Sequence, residues 1–183
     1  MDTRSEFLRK DEFASLPLNL DLTFRLARQE DLPKLEWMGE YTHFRRVFEY
    51  TFKEQKSGHR LMLVADVNNF PVGQVFTLMK DSGMLYKGHS RRAYLYSLRV
   101  MAPFQGLGIG TELLLQAEKL IKARDLHYIN IAVAKDNVAA RRLYERIGYT
   151  VYAEDEGRWS YTDNRGRLVN VHEPCWMMEK LLD

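Results

Sequence analysis

Leu98-Arg99-Val100-Met101-Ala102-Pro103-Phe104-Gln105-Gly106-Leu107-Gly108-Ile109-Gly110-Thr111 joins two hydrophobic patterns of different period. Upstream, Tyr94, Tyr96, Leu98 and Val100 alternate with Leu95, Ser97 and Arg99, the period of a strand. Downstream, Leu113, Ala117, Leu120 and Ile121 recur at helical spacing. Between them Gly106, Gly108 and Gly110 stand at alternate positions. Glycine lets a backbone take unusual dihedrals and come close to a ligand. The first N–H groups of a helix have no intrahelical acceptor, so a strand, a glycine turn and a helix N-terminus together make an anion site. The expected anion is a pyrophosphate.

Two familiar phosphate loops fail here. A P-loop needs a Lys after its last glycine, and no Lys occurs between Pro103 and Gln116. A dinucleotide fingerprint needs G-x-G-x-x-G and an acid about 20 residues on. The spacing here is G-x-G-x-G, and the next strand, Tyr128 to Val133, carries no acid.

The hexapeptide Gln105-Gly106-Leu107-Gly108-Ile109-Gly110 resembles motif A of the GNAT acetyltransferases, Gln/Arg-x-x-Gly-x-Gly/Ala. The later run Asp136-Asn137-Val138-Ala139-Ala140-Arg141-Arg142-Leu143-Tyr144-Glu145-Arg146-Ile147-Gly148-Tyr149 resembles that family's second signature, Asn-x-x-Ala-x-x-x-Tyr-x-x-x-Gly-Phe/Tyr. The close resemblance spans about residues 94 to 152; elsewhere it is one of element order. It implies an α/β (α+β) fold, a mixed twisted sheet flanked by helices, with coenzyme A as the pyrophosphate ligand.

Composition narrows the class. The 183 residues suit one folded domain, at 21–183, preceded by an N-terminal extension at 1–20. A net charge of +2 and the lack of an aromatic-basic repeat argue against nucleic acid. The single cysteine, Cys175, excludes an internal disulfide and a cysteine zinc cluster. The start lacks an apolar h-region and no apolar run is long enough for a membrane span, so a cytoplasmic protein is expected. No metal is expected. A homodimer through the C-terminal strands is left open.

In chain order, Leu20–Leu26 reads as a strand, and Glu30-Asp31-Leu32-Pro33 opens a helix. A second helix runs from about Thr42 to Lys56. Its Phe44 and Phe48, with Glu40 and Glu49, either line an acceptor wall or divide into core and solvated face. Strands at 60–67 and 72–79 form a hairpin, and Lys80–Arg92 is a polar loop. After the glycine turn a helix ends near Arg124, followed by a strand at 128–133. Asp136 is the expected N-cap of a helix through Ile147, with Gly148 at its C-terminal turn. Further strands are expected at Tyr149–Ala153 and Cys175–Leu182, with a short hairpin at Trp159–Tyr161 and Leu168–Val171.

The resemblance also implies roles. Backbone N–H groups of Gln105, Gly106, Leu107, Gly108, Ile109, Gly110 and Thr111 would hold the pyrophosphate, which bulky side chains at Gly108 or Gly110 would block. Pantetheine amides would pair with the backbone of Leu98 and Val100, as an added strand. The Leu98 N–H would polarise the acetyl carbonyl. Asn137 and Tyr144 share a helix face and would flank the cofactor with Ala140 and Arg141. Asn137 is either the pantetheine contact or a cap, and Tyr144 either the acid for the leaving thiolate or core packing. Histone-type members carry a Glu four residues before the Leu98 position; here that residue is Tyr94, a poor base near neutral pH. Glu40, Glu49, Glu173, His43, His89 or His172 would have to act through water, or the amine would arrive neutral. The expected function is transfer of acetyl from acetyl-CoA to a primary amine of a small molecule or protein, by a sequential route without an acetyl-enzyme. A different class, a non-catalytic acyl-CoA-binding sensor or scaffold, stands beside it. Cys175 is expected to be a buried small residue rather than a nucleophile.

Overall fold

Near-continuous apolar runs at Leu61–Val67 and Val72–Phe76 call for strands buried on both faces, and the computed structural model places them at the heart of a sheet. It describes residues 20–79 and 92–182. The expected extension at 1–20 and the polar loop, with His89, lie outside these residues apart from Leu20 and Arg92.

The strands are β1 Leu22–Leu26, β2 Arg60–Val67, β3 Phe70–Leu78, β4 Arg92–Val100, β5 Tyr128–Ala134, β6 Thr150–Asp155, β7 Arg158–Thr162, β8 Leu168–His172 and β9 Cys175–Leu181. Seven of them form a sheet in the order β1-β2-β3-β4-β5-β9-β6, while β7 and β8 pair as a separate hairpin. The β4–β5 pair is parallel and the other neighbours are antiparallel. The helices are α1 Arg45–Lys56, α2 Ile109–Lys122 and α3 Val138–Arg146. This is the expected mixed sheet flanked by helices.

Strand alternation sorts two cores. Leu61, Leu63 and Ala65 of β2 meet Ile109, Leu113, Ala117 and Ile121 of α2 on one face. Met62 and Val64 meet Phe48 of α1, with Leu35 and Phe76, on the other. Each fully buried side chain of this size contributes roughly 1.5–3 kcal/mol.

The first expected helix is not one. Residues 29–44 form three 3-10 turns, Gln29–Asp31, Lys34–Gly39 and Thr42–Phe44. Trp37 (φ 42°), Met38 (φ 55°) and Gly39 (φ 102°) are all left-handed and break the middle turn. Long-range bonds outweigh helix propensity here. The buried Trp37 indole donates to the Pro71 carbonyl at 2.9 Å. Buried Glu36 accepts from Arg45 Nη2 at 2.9 Å and from Thr42 Oγ1 at 2.8 Å. The break carries Tyr41 back over the sheet.

Candidate active site

Two irregularities in β4 shape the site. The β4–β5 ladder runs from Arg92↔Tyr128 to Leu95↔Ile131 and stops. From Tyr96 to Val100 that edge of β4 has no strand partner among the described residues, although β5 continues to Ala134 against β9. The second irregularity is a bulge against β3. Phe76 pairs with Tyr96 and Gln74 with Arg99, so Val75 opposes both Ser97 and Leu98. Ser97 sits at φ 55° to make it.

The bulge reverses the alternation read from the sequence. Tyr94 and Tyr96 are stacked, and Tyr96 packs edge-on to Phe76 in the α1 core. Leu98 and Val100 do not follow them; both pack with Leu95 against the α2 core. Arg99 turns to the α1 side and lies over Tyr41 and Phe44. An extra residue in a period-2 strand moves every later side chain to the other face.

After β4 the chain makes a 3-10 turn at Ala102–Phe104 and enters α2. Gly106 (φ 78°) and Gly108 (φ 83°) are left-handed, and nothing among the described residues lies within 4 Å of a side chain built on either. Gly108 is the N-cap of α2, which starts at Ile109, so Gly110 lies inside the helix rather than before it. Gly110 is an ordinary helical residue, where an added Cβ would stand 3.7 Å from Leu143 and 3.8 Å from Val100. That spacing shows the end of β4, the start of α2 and the middle of α3 converging on one point.

The first α2 bond runs from the Glu112 N–H to the Gly108 carbonyl at 3.0 Å. The N–H groups of Gly106, Leu107, Gly108, Ile109, Gly110 and Thr111 precede it and donate to no acceptor among the described residues. Gln105 departs from the expected row. Its N–H donates to the Ala102 carbonyl at 3.2 Å, and its side-chain amide donates to the Val100 carbonyl at 2.9 Å. Gln105 therefore fastens the turn to the strand end. A carbonyl has two lone pairs, so Val100 keeps one acceptor site.

On α3, Asn137 rather than Asp136 is the N-cap: its Oδ1 accepts the Ala140 N–H at 3.1 Å. The Asn137 amide nitrogen has no acceptor among the described residues and the residue is exposed, while Ala140 is half-buried. Tyr144 is 5 % exposed, its ring 6.0 Å from that of Tyr149. Burial pushes its phenol up to about 12, so it stays protonated through the physiological range.

On the opposite face, Phe44 joins His43 (4.2 Å between ring centroids) and Tyr161 of the β7–β8 hairpin (4.8 Å). Phe48 is 1 % exposed and belongs to the core; Glu40 and Glu49 are exposed. The hairpin turn is held by Asp163, whose carboxylate accepts the N–H groups of Arg165 and Arg167, and these bonds hold it below the usual carboxylate range. The sequence had no signal for Arg99, Tyr41 and Tyr161 as a group, because three separate segments bring them together. His172 pairs with Glu156 on the hairpin. Cys175 is buried and its thiol is raised by that burial, as a structural cysteine should be. No cluster of metal-ligating side chains occurs among the described residues, and no described helix is long and apolar enough to cross a membrane.

Solved structures with this fold include a GNAT-family acetyltransferase from Streptococcus pneumoniae, 18 % identical, with 89 % of this chain and 100 % of that chain covered at a TM-score of 0.67. The ribosomal-protein-S18-alanine N-acetyltransferase of Escherichia coli is 18 % identical over 89 % of this chain and 95 % of its own, with a TM-score of 0.64. The yncA protein of Salmonella typhimurium, solved with its cofactor acetyl-CoA, is 20 % identical over 88 % and 94 %, with a TM-score of 0.65. Residues 26–149 match the sequence model described as the acetyltransferase (GNAT) family. The chain therefore belongs to the GNAT family, whose shared chemistry is acyl transfer from acetyl-CoA.

Proposed function

We propose that this protein transfers the acetyl group of acetyl-CoA to a primary amine of a small molecule or protein, and that the splayed end of β4 is where the transfer occurs. The observation that carries this reading is the convergence of three features at Gly110, Val100 and Leu143: an unpartnered strand edge, a run of unused N–H donors, and the α3 face bearing Tyr144.

In this reading the pyrophosphate sits on the N–H groups of Gly106 to Thr111. The pantetheine arm lies along Leu98 and Val100, taking the place of the missing β5 ladder. Asn137 offers its free amide nitrogen to the arm, and Ala140 leaves room beside it. The Leu98 N–H donates to the acetyl oxygen as it gains negative charge. The amine nitrogen attacks the carbonyl carbon, a C–N bond forms and the C–S bond breaks. One proton leaves the nitrogen for water and one reaches the departing sulfur.

Tyr144 supplies the hydrogen bond to that sulfur. An ordinary thiol has a pKa of about 8.5, so full proton transfer from a phenol near 12 is uphill. Tyr144 therefore acts as a hydrogen-bond donor to the developing thiolate, which takes its proton from water once the C–S bond has broken. Tyr94 stands where a carboxylate base would be, so the amine proton is assigned to water. The test is thiol release from acetyl-CoA across a panel of amines, beside calorimetric binding of coenzyme A. Tight binding with no turnover on any amine would leave a binding module instead.

A further inference from the structure

Arg99 follows Leu98 directly, and the Ser97 bulge sends its side chain to the α1 face. Its guanidinium carbon lies 4.4 Å from the Tyr41 ring centroid and 4.7 Å from that of Phe44. Such stacking engages the plane of the group and leaves the N–H donors at its edge unused. Nη1 is fully buried without a hydrogen-bond partner, and the side chain makes no ion pair among the described residues.

The other half-buried arginines behave differently. Arg25 is held by Asp31 at 2.6 Å and by Asp66; Arg60 donates to the Tyr96 hydroxyl at 2.7 Å. Arg92 reaches Glu179 at 2.8 Å and Arg141 reaches Glu145 at 2.8 Å. Each spends at least one donor on an oxygen, although Arg60 Nε and Arg92 Nε are also buried without a partner among the described residues. Arg99 spends none among the described residues, although removing an unpaired guanidinium from water costs several kcal/mol. Burial also pulls its pKa down, against the favourable fields of Tyr41 and exposed Glu40. A cost of this kind in a wall beside the reacting centre calls for an anion that arrives with the ligand.

We propose that Arg99 anchors a carboxylate of the acceptor, so that the acceptor class is a small molecule holding a primary amine and a carboxylate together, an amino acid in the broad sense. This rests on the acetyl-transfer reading above. Consecutive Cα atoms lie about 3.8 Å apart, so the residue that polarises the acetyl group and the residue that grips the acceptor are neighbours on one strand. Phe44, His43 and Tyr161 give the wall an apolar, aromatic character suited to the acceptor's body. The hairpin closes over this wall, since a side chain built on Gly166 would stand 3.4 Å from Arg46 Nη2. That cover favours a small acceptor over a protein chain. Polycationic amines, such as polyamines and aminoglycosides, would bring further positive charge against Arg99 and are disfavoured.

The experiment compares matched acceptors: phenylalanine with phenethylamine, and leucine with isoamylamine. Transfer from acetyl-CoA is measured for wild type, Arg99→Gln and Arg99→Lys, with calorimetry of each acceptor on the coenzyme A-saturated protein. Wild type should favour the carboxylate-bearing member about tenfold to a hundredfold in kcat/KM. Arg99→Gln should close that gap by raising the amino acid's KM, with the KM of acetyl-CoA within twofold, and Arg99→Lys should recover part of it. Equal use of both members by wild type, or a gap that survives Arg99→Gln, overturns the carboxylate anchor and leaves acetyl transfer standing. Carboxylate-dependent binding that needs Arg99, without turnover, upholds the anchor and overturns acetyl transfer.

Discussion

Tyr96 and Arg99 leave the same face of β4 despite an odd spacing, because Ser97 at φ 55° inserts a bulge between them. Without it Leu98 would share the face of Tyr96, and Arg99 would point into the α2 core. One residue thus separates a cofactor side from an acceptor side on a single strand.

A β-branched side chain suits that left-handed position poorly. Ser97→Val should cost about 1–2 kcal/mol. The melting temperature should fall by about 2–8 °C, with a matching loss of kcat/KM as Leu98 and Arg99 lose register. Ser97→Gly should melt within a degree or two of wild type. A Val variant as stable and active as wild type would show that the bulge is not needed.

Gly108 caps α2 at φ 83°, whereas Gly110 is an ordinary helical residue. Gly108→Ala must strain or shift the turn that aligns the free N–H groups. Calorimetry should show coenzyme A affinity reduced about tenfold or more, for a conformational cost of about 1–2 kcal/mol. Gly110→Ala should leave the melting temperature at or above that of wild type. Unchanged affinity in Gly108→Ala would move the pyrophosphate elsewhere.

Tyr144→Phe should lower kcat about tenfold to a hundredfold, with coenzyme A affinity within twofold. The pH dependence follows from the raised phenol. The working form is protonated, and its pKa of about 12 lies above the ordinary 10, so ionisation of Tyr144 removes no activity below about pH 11. An alkaline fall in kcat near pH 9 to 10 that disappears in Tyr144→Phe would contradict this.

Arg25 lies between two acids, and Asp31 is fully buried. Burial by itself would raise the Asp31 carboxyl, but hydrogen bonds from the Arg25 side chain and the Arg28 N–H outweigh it and lower it. Its contribution to stability is therefore complete above the unfolded value of about 3.9 and is lost as pH falls through the lower folded value. Asp31→Asn should cost about 3 kcal/mol at pH 7, near the low end for breaking a buried pair because Asp66 still holds Arg25. Urea denaturation should show the deficit shrinking below about pH 4. A deficit that grows in acid would reverse the sign of the account.

The two glycine-rich and tyrosine-bearing signatures were legible because glycine turns and helix caps are local events. Element order, the hairpin around Asp163 and the left-handed Gly148 were legible for the same reason. Four features were not. Ser97 carries no glycine or proline to announce a bulge, so plain alternation put Leu98 and Arg99 on the wrong faces. The left-handed step at Trp37 and Met38 is imposed by contacts to Pro71, Thr42 and Arg45. Asp136 and Asn137 are both good caps, and only the bond to Ala140 chooses between them. That Arg99 meets no carboxylate among the described residues depends on side chains from separate segments, which local pattern does not encode.

The most direct measurement of the central claim follows the acetyl group itself. Purified protein is mixed with acetyl-CoA and an amino acid, and free thiol, N-acetyl product and intact protein mass are recorded together. The account predicts one N-acetyl product per thiol released, intersecting initial-rate lines for the two substrates, and no acetylated protein species. Coenzyme A binding without N-acetyl product for any amine, or an acetylated protein that forms and decays during turnover, would contradict it.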